Sequence, residues 1–334
     1  MASECTLAVI IPCFNYEQYV GRAIQSVLNQ VSEGVDLIIV DDESTDASWN
    51  IISSFDVKAY RVSNRGPRKA CLYAMEMTKA EFILCLDADD ELQPGAIAEI
   101  RSKLDIDVAK LQFPLVCVDD YGKVLTDCYP NLSEYRERES IQREVLLSGT
   151  YQSPPTSGNV FRRDVFEVLR FCEYDRFIDG ATLFIAPFLG DIVSVSKPLG
   201  LYRVHANNHS AVGRLPSAGS LRRDLDRFEL RSQHLRSLLE HYGLGNDLTI
   251  YNNTYYYLST SLNLAVVTKS HFAFSDLVKM LRALLLERRT NKWKAASLIF
   301  GIILFLSPHA IARHILSSRL GLSHNVFINF IRRF

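Results

Sequence analysis

The chain has 334 residues, of which 48% are hydrophobic and 22% charged, with only 16 Gly and 11 Pro. This composition is typical of a packed globular protein and excludes collagen-like and disordered classes. The length suits one large α/β domain with a second region attached. The 37 basic and 38 acidic residues give a net charge of −1. Because the chain as a whole has no excess of positive charge, no nucleic-acid partner is expected.

The near-zero net charge conceals a basic C-terminal tail. Residues from Arg282 to Phe334 include nine Lys or Arg and a single acid, Glu287, so this segment carries +8 and the rest of the chain −9. Such a tail predicts contact with an anionic surface, for which a membrane is a candidate.

The seven cysteines are scattered and form no CxxC pair. Buried free thiols in a reducing compartment are therefore expected, and a disulfide frame or zinc site is not. The first apolar run, Leu7–Ile11, ends at Pro12 and is too short for a signal peptide, so the catalytic part is expected to face the cytosol.

The first 115 residues alternate short apolar runs with helical patterns, which predicts βαβ units and a mostly parallel sheet. Helical patterns follow Tyr19, Ser44 or Asp46, Pro67 and Pro94. The predicted strands are Leu7–Ile11, Val35–Val40, Val57–Val62, Phe82–Leu86 and Val108–Phe113. Ligands of such sheets bind at the carboxyl ends of strands, so residues directly after them should line the site.

The pattern changes twice further along the chain. Residues 115–210 are irregular, and a helical region follows with segments at Leu221–His241, Leu248–Thr268 and Phe272–Arg289. We therefore predict an α/β domain at residues 1–212 and a helical region at residues 213–334.

The segment Leu86-Asp87-Ala88-Asp89-Asp90 places three acids at the end of a predicted strand. Clustered carboxylates repel one another and are stabilised by a cation, so the segment predicts a divalent metal such as Mg²⁺ or Mn²⁺ with a diphosphate ligand. The spacing does not fit an EF-hand, whereas a solvated acidic turn remains an alternative.

A second acidic pair, Asp41-Asp42, ends another predicted strand. Carboxylates at two strand ends point into one crevice, where they can accept hydrogen bonds from a base or from ribose hydroxyls. Ser44 and Asp46 also suit helix capping, which explains them equally well.

Three segments of the sequence, in this order, are Ile10–Asn15, Val40–Asp46 and Leu86–Asp90. Together they resemble the ordered motifs of family 2 glycosyltransferases with the GT-A fold. The resemblance implies that the first two hold the donor nucleoside and that Asp87 and Asp89 form a DXD motif, which binds a metal on the donor diphosphate. The donor-binding residues implied are Pro12, Phe14, Asn15, Asp41, Asp87 and Ala88.

The resemblance continues to about residue 210. Thr156–Arg163 looks like the acceptor-side strand, Phe177–Gly180 stands where the family has Glu-Asp, and Leu201–His205 looks like its closing Tyr-Arg-x-His segment. The chain departs from the family where Ala70-Cys71-Leu72 replaces Ala-Arg-Asn, which leaves Arg68 as the cation near base or phosphate. It departs again where Ile178 replaces Glu.

Asp179 is the implied catalytic base, since an inverting transfer needs a carboxylate to accept the proton of the acceptor hydroxyl. A solvated turn residue is the alternative. His205 is either a metal or phosphate contact or a structural histidine. Arg162, Arg163 and Arg203 are candidates for phosphate or acceptor contacts, or else form surface ion pairs.

The apolar stretch Ala295–Leu306 is too short to span a membrane, which takes about 20 residues. Basic and aromatic flanks suit a segment at a membrane interface, whereas a core helix of the C-terminal bundle is the alternative. The helical region is also a candidate for self-association.

The sequence thus predicts a metal-dependent, inverting, hexosyltransferase-type glycosyltransferase. A nucleotide donor, with a UDP-sugar favoured, would give its sugar to a hydroxyl of a glycan or lipid-linked acceptor in cell-surface polysaccharide synthesis. The protein would be peripheral at the inner face of the cell membrane. The alternatives are a catalytically degenerate nucleotide-sugar-binding or scaffold protein and a sugar nucleotidyltransferase.

Overall fold

The computed structural model describes residues 6–174, 178, 180–205, 217–244 and 247–320. The chain divides into two compact units. The first comprises residues 1–139 and 152–206, and the second comprises residues 140–151 and 207–334. The boundary predicted between residues 212 and 213 lies outside the described residues.

Strands of the first unit form two sheets. They are β1 Leu7–Cys13, β2 Val35–Asp41, β3 Lys58–Arg61, β4 Phe82–Cys85, β5 Glu91–Leu92, β6 Val108–Gln112, β7 Leu115–Val118, β8 Val124–Tyr129, β9 Tyr135–Glu137, β10 Asn159–Arg162, β11 Asp191–Ser194 and β12 Gly200–Arg203. Within the described residues, the larger sheet has the order β3-β2-β1-β4-β10-β6-β11-β9 and the smaller has the order β5-β12-β7-β8.

The larger sheet is mostly parallel, as the sequence predicts. Strands β1 to β4 run parallel to one another, and β10 is antiparallel to both β4 and β6. The register pairs Cys13 with Asp41 and Ile10 with Cys85. The carboxyl ends of β1, β2 and β4 therefore share one edge, where ligands of open α/β sheets bind.

The helices are α1 Val20–Leu28, α2 Ser48–Ser53, α3 Pro67–Glu76, α4 Ala96–Arg101, α5 Glu139–Ser148, α6 Arg163–Glu167, α7 Ala181–Leu189, α8 Ala218–His241, α9 Tyr255–Thr268, α10 Phe274–Leu286, α11 Asn291–Leu306 and α12 His309–Leu320. Pro67 is the first residue of α3. The N–H of a residue at this position has no partner within the helix, so a proline, which lacks the N–H, is tolerated here. Helix α4 begins at Ala96, directly after Gly95 with a φ of 82°.

The core of the first unit forms because β1 is buried along its whole length. Leu7, Val9 and Ile11 belong to the same apolar cluster as Val20 and Ile24 of α1. Helix α3 packs against β1 and β2. Each large apolar side chain buried in this way contributes about 1.5–3 kcal/mol, so β1 is fixed firmly beneath the residues that follow it.

The second unit includes residues 140–151, which the sequence pattern does not assign to it. Here the N–H of Thr249 donates to the carbonyl of Leu146 at 2.8 Å. Gly149 has a φ of 75°, and a Cβ at this position would lie 2.7 Å from the ring of Phe228. This close approach explains why glycine stands at the end of α5.

Helices α9 to α12 share an apolar core in the second unit. Its buried members are Leu258, Leu262, Val266, Leu277, Met280, Leu304, Ala312 and Leu316. Helix α11 turns Ser297, Gly301 and Leu304 inward, and a Cβ on Gly301 would lie 2.7 Å from the Met280 side chain. Across the described part of the chain, every helix is too short or too polar to cross a membrane.

Candidate functional site

The acidic turn, residues 87–90, follows the carboxyl end of β4. Asp87, Asp89 and Asp90 each present a carboxylate oxygen, and these oxygens lie within 4.8 Å of one another. Asp87 is half-buried, whereas Asp89 and Asp90 are buried. The structure therefore brings together the acids that the sequence assigns to a metal site.

The acidic turn is chemically suited to a divalent cation. Burial, followed by the charges of Asp89 and Asp87, holds the pKa of Asp90 well above its usual range. Oxygen ligands and concentrated negative charge suit Mg²⁺ and Mn²⁺. A cation here would offset the repulsion between the carboxylates, so the donor set fits the ion that the sequence predicts.

His205 lies against the acidic turn. Its Nε2 is 2.8 Å from Oδ2 of Asp89, and its ring stacks on Tyr19 with the centroids 5.0 Å apart. Tyr16 packs edge-on against the same imidazole at 6.2 Å. Burial, followed by the charges of Asp89 and its acidic neighbours, raises the pKa of Tyr16. His205 is thus placed to contact a cation or phosphate at the turn.

Arg203 lies beneath the acidic turn and is buried. Its Nε donates to the carbonyl of Asp89 at 3.1 Å, and its Nη1 donates to the carbonyl of Asp119 at 2.9 Å. Its Nη2 also bonds the carboxylate of Glu91. Through these bonds Arg203 holds the backbone of the turn, instead of projecting toward an acceptor as the sequence interpretation allowed.

The segment after β1 is joined to the loop after β2. The N–H of Asn15 donates to Oγ of Ser44 at 2.9 Å, and Oδ1 of Asn15 accepts from the N–H of Thr45 at 2.8 Å. Asn15 has a φ of 59°, a left-handed conformation that asparagine tolerates better than most residues. Phe14 beside it is exposed, so this segment presents an aromatic face next to Pro12.

The two capping candidates have different roles in the structure. Asp46 accepts the N–H of Ser48 at 2.9 Å, at the first turn of α2. The hydroxyl of Ser44 instead accepts the N–H of Asn15. Asp46 therefore satisfies the first backbone donor of the helix, but from the position before the N-cap, which is Ala47.

Asp41 and Arg68 each contain a buried polar atom that has no hydrogen-bond partner among the described residues. These atoms are Oδ1 of Asp41 and Nε of Arg68. The other oxygen of Asp41 accepts from the N–H of Ser44 at 3.1 Å and lies 3.2 Å from Nε of Arg61. Nη1 of Arg68 donates to the carbonyl of Leu169 at 2.6 Å. An unpaired buried polar atom is costly, so both positions favour a ligand that supplies the missing bond.

Cys71, which stands where the family has Arg, is buried in the first unit. Its Sγ lies 3.4 Å from Sγ of Cys85 at the end of β4. The substitution therefore exchanges a cation for an apolar contact behind the acidic turn.

Arg162 and Arg163 lie at the opposite edge of the sheet from the acidic turn. Arg162 pairs with Phe82 at the amino end of β4 and binds Asp164 and the carbonyl of Ile106. Arg163 donates to the carbonyls of Met75, Thr78 and Ala80. Their guanidinium groups join elements of the scaffold and are not gathered with the other candidates.

Asp179 lies outside the described residues. Its neighbours show only that it directly precedes Gly180, which has a φ of 101° and is the N-cap of α7.

The described cysteines are free thiols, and all but Cys128 are buried. Burial raises the pKa of Cys13 from 9.0 to about 12. A raised pKa keeps the thiol protonated at pH 8, and the thiolate is the reactive form. We therefore expect maleimide at pH 8 to leave Cys13 unmodified in the folded protein and to modify it in urea, as mapped by mass spectrometry. Rapid labelling in the folded protein would contradict this burial.

Two contributors to the site have no local sequence signal. The hydroxyl of Ser157 bonds Asp90 although 67 positions separate the two residues, and Lys110, buried within β6, bonds Ser153 in the segment that leads to Ser157. The structural role of Arg203 was also missed. In each case the residues in contact are far apart in sequence and are brought together by the order of the strands, so no short motif predicts the contact.

Residues 8–170 match the family model described as glycosyl transferase family 2. The chain is thus similar to this family over just under half of its length. It is 29% identical over 265 residues to an uncharacterised glycosyltransferase of Nostoc sp., covering 75% of this chain and 80% of the relative. It is 24% identical over 218 residues to the GalNAc(5)-diNAcBac-PP-undecaprenol beta-1,3-glucosyltransferase of Campylobacter jejuni, covering 62% and 67% of the two chains.

The fold of the chain also resembles a solved structure. The crystal structure of S. aureus TarS in complex with UDP-GlcNAc aligns with a TM-score of 0.53 at 15% identity, covering 94% of this chain and 91% of that one. The GT-A fold with a C-terminal helical region is thereby confirmed.

Proposed function

We propose that this glycosyltransferase transfers a hexose, with inversion, from a nucleotide donor to a hydroxyl of a lipid-linked or glycan acceptor, and that the reaction requires Mn²⁺ or Mg²⁺. A UDP-sugar is the favoured donor. The name of the C. jejuni relative contains PP-undecaprenol, which supports a lipid-linked acceptor and a place in cell-surface polysaccharide synthesis. Residues 1–212 would carry catalysis, and residues 213–334 would carry attachment.

The observation that carries the proposal is the meeting of two acidic strand ends at one sheet edge. Asp41 ends β2, and the acidic turn follows β4, with only β1 between these strands. A nucleoside diphosphate has a neutral base at one end and an anionic diphosphate at the other. This edge offers acceptors for the base and a cation site for the diphosphate.

The nucleoside end is assigned from the unpaired atoms. Oδ1 of Asp41 can accept an N–H of the base, and Nε of Arg68 can donate to a carbonyl of the base or to a phosphate oxygen. Phe14, exposed beside Pro12, supplies an apolar surface for the ring.

The diphosphate end is assigned to the acidic turn. Asp87 and Asp89 would hold the cation, with His205 beside them. When bound, the cation supplies positive charge that stabilises the leaving diphosphate.

The chemical step is assigned to Asp179. The acceptor oxygen bonds to the anomeric carbon while the bond from that carbon to the diphosphate breaks. The proton of the acceptor hydroxyl passes to the carboxylate. Attack from the face opposite the leaving group inverts the anomeric configuration.

A thermal-shift panel with UDP-, GDP- and dTDP-sugars, with and without Mn²⁺, tests the proposed donor site. A ligand present at 100 times its Kd stabilises the folded state by about 2.7 kcal/mol. We expect a rise in Tm with one nucleotide class, UDP first, and a larger rise with Mn²⁺. No shift with any of these donors would contradict the proposal.

Turnover separates the enzyme from its alternatives. A degenerate binding protein would show the shift without releasing nucleoside diphosphate. A sugar nucleotidyltransferase would instead form nucleotide sugar from a sugar phosphate and a nucleoside triphosphate. Transfer of sugar to a lipid extract with release of UDP supports the proposed reaction.

We further propose that α11 attaches the protein to an anionic membrane surface, at the inner face of the cell membrane. The face of α11 opposite its buried side exposes Ile299, Ile303 and Leu306, and Leu306 is 72% exposed. Basic residues 288, 289, 292 and 294 surround the start of the helix. The inward face, which contains Leu304, is part of the bundle core, so only the outward face is available to lipid.

Replacing Ile299 and Ile303 together with Asp is expected to weaken binding to vesicles containing phosphatidylglycerol more than tenfold. Burial of each isoleucine contributes about 1.5–3 kcal/mol, and each basic residue at the surface about 1 kcal/mol. Co-sedimentation at low and high salt measures both contributions. Leu230→Asp, which changes an exposed leucine of α8, is the matched control.

Equal pelleting of the double variant and the wild type would contradict the membrane proposal. If neither pellets and the wild type alone dimerises in sedimentation velocity, the exposed face of α11 is instead an interface between two copies.

A further inference from the structure

Ser157 joins both ends of the acidic turn through one hydroxyl. Its Oγ accepts the N–H of Asp87 at 3.0 Å and donates to Oδ2 of Asp90 at 2.5 Å. Ser157 is fully buried and lies in the 3₁₀ turn Thr156–Gly158, which leads into β10. One side chain therefore fixes the backbone at the start of the turn and the carboxylate at its end.

The second oxygen of Asp90 is also bonded within the protein. Oδ1 accepts the backbone N–H of Arg203 at 2.9 Å. Asp90 thus connects the turn before β10 with strand β12, and each of its oxygens already accepts a hydrogen bond. Both oxygens of Asp90 therefore bond the surrounding scaffold, whereas Asp87 and Asp89 are the pair that the proposed function assigns to the cation.

The position of Ser157 is itself fixed by a buried polar network. Nδ2 of Asn159 donates to the carbonyl of Pro155 at 2.8 Å, and its Oδ1 accepts from Oγ of Ser153 at 3.0 Å. Nζ of the fully buried Lys110 donates to the same Oγ at 2.9 Å. A Cβ on Gly158 would lie 2.6 Å from the carbonyl of Phe113. The turn that carries Ser157 is therefore tightly held against β6.

We propose that Ser157 is a positioning residue for the cation site. Its hydrogen bonds to the N–H of Asp87 and to the carboxylate of Asp90 form what we call the brace. Together they hold Asp87 and Asp89 at the separation that a divalent cation requires. Groups that orient metal ligands typically change metal affinity by about 10–100-fold. This inference rests on the proposed function, because it concerns the cation that the donor diphosphate needs.

Hydrogen exchange of the metal-free protein tests the brace without any reaction. Ser157→Ala removes the acceptor of the Asp87 N–H, so peptides covering residues 86–92 should exchange faster than in the wild type. Ser194→Ala is the matched control, because Ser194 is another buried serine of the first unit, whose Oγ accepts a longer, 3.4 Å bond from Gln112. Unchanged exchange in the Ser157 variant would overturn the proposal.

Binding of Mn²⁺, followed by electron paramagnetic resonance in the presence of UDP, tests the consequence for the cation. Ser157→Ala should weaken Mn²⁺ binding about 10–100-fold while its affinity for UDP without metal stays that of the wild type. A merely structural role would instead lower both affinities together with Tm. Wild-type Mn²⁺ affinity in this variant, or a parallel loss of both, would overturn the proposal.

Asp90→Asn provides a second variant, because Asn preserves the shape of the brace if Ser157→Ala fails to fold. As part of the brace, Asp90 should tolerate this change with a loss of at most about tenfold in Mn²⁺ affinity, whereas Asp89→Asn removes the site. Equal loss in the two variants would make Asp90 a ligand and contradict the proposal. If the wild type itself binds neither Mn²⁺ nor UDP, the proposed function fails. The hydrogen-exchange experiment still shows whether Ser157 holds the backbone of the acidic turn, because it needs no metal or donor.

Discussion

Asp89→Asn is expected to lower kcat/KM by about 10³ and to remove the Mn²⁺-dependent part of donor binding. Charge stabilisation by a bound metal is worth several kcal/mol, and each 1.36 kcal/mol is a factor of ten in rate. The substituted amide has no formal charge to hold the cation. It also replaces the carboxylate oxygen that lies 2.8 Å from His205. Donor titrations with and without Mn²⁺ measure the effect.

Asp127→Asn is the matched control, because Asp127 is an exposed acid of β8 in the same unit. It should keep wild-type activity and Mn²⁺ response. Undiminished activity of Asp89→Asn would remove the metal role assigned to this residue.

Asp179→Asn is expected to lower kcat by about 10²–10⁴ with donor affinity nearly unchanged, the range for loss of a general base. The amide cannot accept the proton of the acceptor hydroxyl. Single-turnover kinetics with bound donor, together with calorimetric donor titration, separate the chemical step from binding.

Glu173→Gln is the control for Asp179, since Glu173 is an exposed acid a few residues earlier. It should retain the wild-type kcat. If Asp179→Asn instead loses donor affinity while bound donor turns over normally, Asp179 is a binding residue and the base lies elsewhere.

The central strands of the first half of the fold, β1, β2 and β4, were predictable because they are buried on both faces. The apolar run Leu7–Ile11 gives β1, which extends to Cys13, and Val35–Val40 gives β2, which extends to Asp41. Such runs between helical patterns have few alternatives to a parallel sheet. The acidic turn was predictable for the same reason, since it follows directly from the end of a strand.

The middle of the chain was less predictable because its contacts are distant in sequence. Ser157 has no distinguishing neighbour, and its role depends on β10 being inserted antiparallel between β4 and β6. Arg162 and Arg163 belong to a recognisable segment, but the antiparallel direction of β10 takes them to the edge away from Asp87. The direction of β10 therefore determines the positions of Ser157, Arg162 and Arg163, and the hydrophobic pattern of the sequence does not predict the direction of a strand.

The composition of helix α11 does not predict which of its faces is buried. Its apolar stretch suited either a membrane interface or a bundle core. The structure places Leu304 in the core and leaves Ile299 and Leu306 exposed. The core interpretation is therefore correct for the inward face, whereas the membrane interpretation stays a prediction that concerns only the exposed face.

The central claim is metal-dependent transfer from a nucleotide sugar, and the most direct measurement is nucleoside diphosphate release by the wild-type chain with lipid acceptors, in Mn²⁺ and in EDTA. The account predicts release from one donor class in Mn²⁺, its loss in EDTA and its return when excess Mn²⁺ is added. An undiminished rate in EDTA, or no release from any of the UDP-, GDP- and dTDP-sugars in Mn²⁺, would contradict it.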